Sequence, residues 1–356
     1  MLGTELHCNS FRQIGIIGKN IKYGFSQKGS QMYKLGEKQL FGTAVSNRII
    51  WILAAWFFHF FVIGAIFFTI PFSLFYKNVL PLDSMSDAVY FVFASYIANF
   101  LPLFIYAFVY TAATRKNRFI FRSFLPGQRS NKLSKLLKGF LEGFLTNAFC
   151  VVVALIFGDI KLSLSFSLRD IPFYLFAFAS VLIQSATEEL WNRGILMERV
   201  HVHYPMWFAM VLNSGVFAAL HLSNPEISAL PVINLFIAGL VFSVISWQSD
   251  SIWYPIGAHT AWNFTQNLLF GLPNSGLVSQ VSIFRLEAAN ANDPLIYDPA
   301  FGVEGSLPAT FINLAATALY LYFAYKQGRL GELCMSKEKA AMPAKEEPAP
   351  EVGGNE

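Results

Sequence analysis

Apolar residues form eight long runs that are separated by short polar breaks. A helix needs roughly 20 apolar residues to cross about 30 Å of hydrocarbon. Eight runs approach or exceed that length: 49–75, 88–113, 139–158, 171–202, 205–222, 227–247, 252–271 and 308–325. The breaks contain turn-forming residues such as Pro81, Asp159 and Pro205. The pattern therefore predicts an all-α fold, a polytopic membrane helix bundle of about eight transmembrane helices.

The composition agrees with a membrane protein. Hydrophobic residues make up 54% of the chain and charged residues 13%, whereas soluble domains are near a quarter charged. The last residues are rich in Ala, Pro and charge and lack aromatics, which predicts disorder. In chain order we expect a basic leader at 1–48, helices 1 to 3 at 49–170 and a core with polar residues at 171–272. An extracytoplasmic loop at 273–307, a last helix at 308–335 and a disordered tail at 336–356 follow.

Basic residues predict the orientation of the chain. Residues 1–48 hold seven Lys/Arg and two acids, and residues 114–138 hold eight Lys/Arg and no acid. Cytoplasmic loops carry such an excess, so both termini are expected in the cytoplasm. We interpret these segments as topology determinants beside anionic lipid, and no nucleic-acid partner is expected. Short loops and the lack of eukaryotic targeting signals favour a bacterial plasma membrane.

Polar and ionisable residues interrupt three of the apolar runs in the second half of the chain. An ionisable group inside a bilayer costs on the order of 3 kcal/mol or more, so each needs a partner or a function. The residues are Glu188, Glu189, Arg193, His221, His259 and Asn263.

Helical spacing assigns partners to some of these residues. Glu189 and Arg193 are separated by four residues, which favours an intrahelical ion pair. Glu188 lies about 100° around the helix and is then the free carboxylate. Phe217 lies one turn before His221 on the same face, so we expect it to pack beneath the imidazole.

Helical rise predicts that Glu188 and His221 lie at nearly the same depth in the membrane. Glu188 is 14 residues from Val202, and His221 is 16 residues from Pro205; at 1.5 Å per residue these arms rise about 21 and 24 Å. His259 would reach a depth of only about 12 Å, so a tilt or a later helix start is needed to bring it level.

The four remaining polar groups suit hydrolysis. His259 and Asn263 are four residues apart and point from one helix face into one cavity. With Glu188 and His221 they supply one carboxylate, two imidazoles and one carboxamide, which can activate a water and stabilise an oxyanion. Taken singly, each has another interpretation: an ion pair near the interface, a packed histidine, or an asparagine that joins two helices.

Three motifs in order resemble a known family. "EELWNR" fits EExxxR, "FAALH" fits FxxxH and "HTAWN" fits HxxxN. This set resembles the CPBP group of intramembrane proteases, named for CAAX processing and bacteriocin processing, also called the Abi or type II CAAX prenyl endopeptidase family. The resemblance covers roughly residues 171 to 272, a CPBP-like catalytic core.

The resemblance implies a role for each motif residue. Glu188 would activate the hydrolytic water with help from His221, while His259 and Asn263 would hold the oxyanion of the tetrahedral intermediate. The other motif residues and the aromatic beside them would give structural support: Glu189, Arg193 and Phe217. The family commonly has an aromatic immediately before the motif arginine, where this chain has Asn192.

A metal is the main alternative within this resemblance. Two histidines and a glutamate could ligate zinc in the usual three-ligand catalytic pattern, and the family has been described both as metalloproteases and as metal-free glutamate proteases. We favour a site with no cofactor, because Asn263 is a poor zinc ligand and a good oxyanion donor. The "HVH" at 201–203 is a second possible metal pair, which we interpret as interfacial.

The sequence thus predicts an intramembrane endopeptidase whose partners are membrane lipid and a substrate that is a peptide precursor or a lipidated, CAAX-like protein. One alternative is a non-catalytic immunity or regulatory protein that binds a partner through the same core. A transporter with a proton relay is disfavoured, because no second pair of Gly/Pro-broken helices mirrors the first.

Overall fold

A computed structural model of the chain describes residues 49–80, 85–113, 117–157, 160–289 and 295–338. The predicted basic leader and most of the predicted disordered tail lie outside the described residues. The helices are α1 Ile49–Val79, α2 Asp87–Ala113, α3 Arg118–Phe124, α4 Leu133–Ile156, α5 Leu168–His203, α6 Met206–Leu220, α7 Ala229–Ser249, α8 Trp253–Phe264 and α9 Leu307–Lys326.

The predicted helical membrane bundle is confirmed, but the count of eight spanning helices is not. Within the described ranges, six helices are long and apolar enough to cross a membrane: α1, α2, α4, α5, α7 and α9. The other two predicted spans form α6, with 15 residues, and α8, with 12 residues and a π-helical turn at Thr265–Leu269. Pro225 lies just beyond α6, where a helix cannot readily continue. Gly271 has a φ of 65°, a conformation typical of helix ends.

Helix α5 changes its helical form in the middle of the bundle. An α-helix over Ile171–Glu189 continues as a π-helix over Leu190–Met197 and returns to α-helix at Glu198–His203. Such π segments are rare and often occur at functional sites. Every residue from 184 to 198 is buried, so this part of α5 is covered on all sides by protein.

Helices α4 and α8 pack backbone against backbone. A Cβ on Gly139 would lie 2.0 Å from the Tyr254 carbonyl oxygen, and one on Gly143 would lie 2.1 Å from that of Ala258. On the facing helix, Gly257 is equally close to α4. Small residues allow membrane helices to approach this closely. The contact fixes α8, which carries His259 and Asn263, against α4.

The segment predicted as a loop at 273–307 contains regular structure. Strand β2, Phe284–Ala289, pairs antiparallel with β1, Ile160–Leu164, and a 3₁₀ helix covers Val303–Gly305. The Gln266 side chain at the end of α8 donates a hydrogen bond of 3.0 Å to the carbonyl of Phe301. The segment therefore covers the C-terminal end of α8.

The last predicted span, 308–325, corresponds to α9, Leu307–Lys326, whereas the rest of the predicted segment 308–335 is not part of that helix. Helix α9 ends at Lys326, and Gly328 then adopts a φ of 71°. A separate 3₁₀ helix follows at Leu330–Cys334. Arg329 donates a hydrogen bond of 2.9 Å to the carbonyl of Gln248, which ties this end of the described chain to α7.

Candidate functional site

Glu188 has one bound and one free carboxylate oxygen. The Gln184 side chain, one turn earlier on α5, donates a hydrogen bond of 2.6 Å to Oε1 of Glu188. Oε2 is buried and accepts no hydrogen bond from the described residues. It lies 3.9 Å from Nε2 of His259. Glu188 is 9% exposed, so an acceptor oxygen with no donor among the described residues lies in a buried position.

Glu189 and Arg193 form the intrahelical ion pair. Nη1 of Arg193 lies 2.9 Å from Oε1 of Glu189, and both side chains are completely buried. Nη2 of Arg193 donates to the carbonyl of Gly239 at 3.0 Å, and the guanidinium lies over the Phe217 ring at 4.6 Å. Breaking a buried pair by removing one partner costs about 3–5 kcal/mol. The pair thus joins α5 to α6 and α7.

Glu189 also orients His259. Nδ1 of His259 lies 3.0 Å from Oε1 of Glu189, the same oxygen that Arg193 binds. An ionised carboxylate only accepts hydrogen bonds, so Nδ1 is the donor. Nε2 is then turned toward Glu188, and the Phe242 ring stacks on the imidazole at 5.1 Å. The spacing of Glu189 and Arg193 indicates their pairing but not this second contact of Glu189 with His259.

Asn263 lies between two other carboxamides. Its Nδ2 donates to Oε1 of Gln184 at 3.0 Å, and its Oδ1 accepts from Nδ2 of Asn274 at 3.3 Å. Because Gln184 also binds Glu188, side-chain hydrogen bonds run from Asn274 to Glu188. All of these side chains are at least nine-tenths buried.

A second carboxylate reaches the site from the segment before α9. Oε2 of Glu304 accepts from Nδ2 of Asn274 at 3.3 Å, and its Oε1 accepts from the backbone N–H of Ser275. Withdrawal from water raises the pKa of Glu304 to about 7, although the hydrogen bonds from Ser275 and the nearby His259 oppose that rise. Glu304 is thus connected to Asn263 through Asn274.

His221 lies at the end of α6, where it is the C-terminal capping residue. Its Nδ1 donates to the carbonyl of Phe217 at 2.8 Å, which leaves Nε2 available. The Phe217 ring lies 4.8 Å from the His221 ring and 6.0 Å from the His259 ring. Phe217 is therefore in contact with both imidazoles as well as with Arg193.

One cavity connects these groups. Its volume is about 360 Å³, and its walls include the four residues that the sequence analysis assigns to catalysis: Glu188, His221, His259 and Asn263. Aromatic side chains such as Phe60, Phe100 and Phe242 form much of the remaining wall. Apolar walls with a few convergent polar groups are typical of ligand sites.

Three residues hydrogen-bonded in the series from Glu188 to Glu304 were not singled out from the sequence. Gln184 stands one turn before Glu188, and that spacing was a usable signal. Asn274 and Glu304 lie in the segment after α8, 11 and 41 residues beyond Asn263. No periodicity connects such positions, so only the fold brings them together.

The described side chains do not form a three-ligand metal site. Within the described ranges, no group of three or more His, Cys, Asp or Glu residues is placed to hold a metal ion. The imidazoles of "HVH" have separate partners: Nδ1 of His201 lies 3.4 Å from the carbonyl of Tyr204, and Nδ1 of His203 lies 3.2 Å from Glu338. No zinc step is therefore derived from this geometry.

Comparison with known proteins identifies the region around the site. A family model described as type II CAAX prenyl endopeptidase Rce1-like matches residues 170–265, about a quarter of the chain. The matched region holds all three motifs, which confirms the resemblance to CAAX-type intramembrane endopeptidases. Searches of curated proteins and of solved structures found no match. Among the described residues, six apolar helices are long enough to cross a membrane, and the chain is an integral membrane protein.

Proposed function

We propose that this chain is an intramembrane endopeptidase that hydrolyses a peptide bond of a membrane-associated or lipidated, CAAX-like substrate with a water activated by Glu188. The observation that carries the proposal is the carboxylate itself. Gln184 holds Oε1 of Glu188, while Oε2 is buried, lacks a described donor and belongs to the wall of the cavity. A carboxylate in this condition can accept a proton from water.

The first step is attack by this water on the substrate carbonyl. Glu188 takes a proton from the water, and its conjugate acid then gives a proton to the leaving amine. His221 positions the water: because its Nδ1–H is donated to the carbonyl of Phe217, the neutral imidazole presents Nε2 as an acceptor.

Asn263 and His259 stabilise the oxyanion that forms. One hydrogen of the Asn263 carboxamide is donated to Gln184, and the second is free to bind the oxyanion. His259 donates its Nδ1–H to Glu189, so Nε2 carries a hydrogen only in the imidazolium form. In that form His259 is a charged donor for the oxyanion.

The chemistry of the cavity supports a peptide substrate that enters from the bilayer. The substrate is a peptide precursor or a lipidated protein whose scissile bond reaches membrane depth, and lipid is the second partner. Following the charge distribution of the sequence, we propose that both termini lie in the cytoplasm of a bacterial cell. The residues described here need no cofactor for the steps above.

Comparative membrane proteomics tests the proposal in cells. Cells with wild-type protein are compared with cells carrying Glu188→Ala, and uncut C-termini or leader peptides are expected to accumulate only in the variant. Glu287→Ala, an exposed acid on β2, is the matched control and should leave the substrates cut. Identical peptide profiles in all three strains, or an immunity phenotype that survives Glu188→Ala, would contradict a proteolytic function.

A further inference from the structure

The carboxamide of Asn263 can stabilise an oxyanion only in one of its two orientations. Its NH₂ end and its oxygen end have nearly the same shape, and only the NH₂ end is a donor. In the structure, Oδ1 faces Asn274 and Nδ2 faces Gln184. The neighbours of Asn263 therefore decide whether a donor or an acceptor is available on the cavity side.

Asn274 is also a carboxamide, so its own orientation needs a cause. Its Nδ2 donates both to Oε2 of Glu304 and to Oδ1 of Asn263, each at 3.3 Å. Asn274 is only 4% exposed. At a pH above its pKa of about 7, Glu304 is ionised, and an ionised carboxylate accepts hydrogen bonds and donates none. Glu304 thus compels Asn274 to present its NH₂ end, and Asn274 in turn requires the oxygen end of Asn263.

We infer that Glu304 is a positioning residue for the hydrolysis proposed above: through Asn274 it holds the Asn263 carboxamide with its NH₂ end available to the oxyanion. This inference rests on the proposed oxyanion role of Asn263. Glu304 acts without touching the reacting atoms, and it belongs to a segment outside the region matched by the family, residues 170–265.

A simpler role for Glu304 is to tether its segment to Asn274 and Ser275. The two roles differ in what a neutral, isosteric side chain does. Glu304→Gln leaves one acceptor oxygen where the carboxylate now binds the backbone N–H of Ser275, the Asn274 side chain and the side chains of Ser275 and Trp262. If Ser275 keeps the remaining oxygen at position 304 as its acceptor, the new NH₂ group faces the NH₂ group of Asn274. Asn274 removes this clash of two donors by turning its own oxygen toward the new NH₂ group. Asn263 is then drawn toward the reversed orientation, in which it presents oxygen to the oxyanion; its hydrogen bond to Gln184 opposes this reversal, so the loss is partial.

The test uses the full chain in lipid vesicles with a membrane-anchored fluorogenic peptide. Wild type and Glu188→Gln are measured first: cleavage by the former and none by the latter establishes the proposed function independently. Glu304→Gln is then expected to lower kcat by about 10- to 100-fold with little change in KM, somewhat less than loss of an oxyanion donor. The control Glu287→Gln should be unchanged.

A double variant separates orientation from tethering. In Glu304→Gln with Asn274→Asp, the exchanged groups can again bind each other, which restores the tether. The carboxylate at position 274, however, accepts a hydrogen bond from Asn263 and draws its NH₂ end away from the oxyanion. Our inference expects kcat to stay low. Recovery to the wild-type kcat would show a tether only and overturn it.

A third variant covers the case in which Glu304→Gln fails to fold. Asn274→Leu removes the donor to Asn263 and leaves the hydrogen bond between Ser275 and Glu304 in place. A fall in kcat of similar size is expected, again with KM little changed. Wild-type kcat in folded Asn274→Leu, or in folded Glu304→Gln, would overturn the inference. Cleavage by Glu188→Gln at the wild-type rate would overturn the proposed function as well.

Discussion

Helices α1 and α5 are both long enough to cross a membrane, yet they differ in how the protein covers them. The most apolar window of α1 has a mean hydropathy of 2.3 and is 11% buried, whereas that of α5 has a mean hydropathy of 1.2 and is 44% buried. Large side chains of α1 such as Phe57 and Phe67 are more than half exposed. In α5, every residue from 184 to 198 is buried.

The difference shows where in this fold polar and charged side chains can be buried with partners. Much of α1 is exposed, and a polar side chain on that face would lack a partner in a bilayer; His59, on the inner face, hydrogen-bonds to Tyr106 at 2.6 Å. Other helices surround the middle of α5 and supply partners for Glu189 and Arg193. Glu188, in contrast, is bound by Gln184 of α5 itself. Hydropathy alone would rate α5 the poorer membrane helix, although it is the helix that carries the proposed chemistry.

The close contact of α4 with α8 should give the largest effect when broken. Gly143→Ala places a Cβ about 2.1 Å from the Ala258 carbonyl oxygen, so the helices must separate and folded yield should be lost. Gly215→Ala is the matched control, because nothing lies within 4 Å of the added Cβ; it should stabilise the helix slightly, by about 0.5–1 kcal/mol. Yield and thermal midpoint in detergent measure both. A wild-type midpoint for Gly143→Ala would contradict the tight packing.

The buried ion pair of α5 should give the next largest effect. Glu189→Gln leaves the fully buried Arg193 without its counter-ion, at a cost of about 3–5 kcal/mol, and weakens the hold on His259. Thermal midpoint and specific activity should fall together, whereas Phe67→Leu on the exposed face of α1 should change neither. Glu189→Gln that folds normally and is fully inactive would reverse the roles assigned to Glu188 and Glu189.

Asn263→Ala should affect the rate without affecting the fold. The carboxamide gains strength as charge develops on the oxyanion, so kcat should fall by about 10² to 10³ with little change in KM. If Asn263 only joined α8 to its neighbours, the thermal midpoint would fall and kcat per folded molecule would not. Single-turnover cleavage by folded Asn263→Asp at the wild-type rate would rule out the oxyanion role, because a carboxylate repels an oxyanion.

Chelators should have the smallest effect. EDTA or 1,10-phenanthroline is expected to leave cleavage by the purified protein intact, because the proposed steps use side chains and water alone. Metal analysis of the purified protein is the complementary measurement. One zinc per chain that is lost when His221 or His259 is mutated would contradict this mechanism.

For α5, the sequence predicts contacts between residues of the same helix better than contacts with other helices. The separation of four residues between Glu189 and Arg193 indicated the ion pair that the structure contains at 2.9 Å. Helical rise left His259 too shallow, yet it binds Glu189 at 3.0 Å, because packing of α8 against other helices sets its depth. The "GFLEG" of α4 was a readable signal for close helix packing, although the partner, Gly257, could not be inferred.

The least predictable part of the site lies after α8. Residues 273–307 have no apolar run and were expected to form a loop, but they pair with β1 and bring Asn274 and Glu304 to Asn263. Contacts of this kind depend on tertiary structure, which neither hydropathy nor helical spacing encodes. The lengths of α6 and α8 were overestimated for a related reason, since apolar residues continue beyond the points where the backbone turns.

The most direct test of the account is cleavage of a membrane-anchored peptide by purified wild-type protein and by Glu188→Gln, with the thermal midpoint measured on the same vesicle preparations. The substitution preserves the shape of the side chain and removes its ability to take a proton from water. We predict product from the wild type, none from Glu188→Gln, and similar thermal midpoints for both. Product from folded Glu188→Gln at the wild-type rate would contradict the claim that Glu188 activates the hydrolytic water.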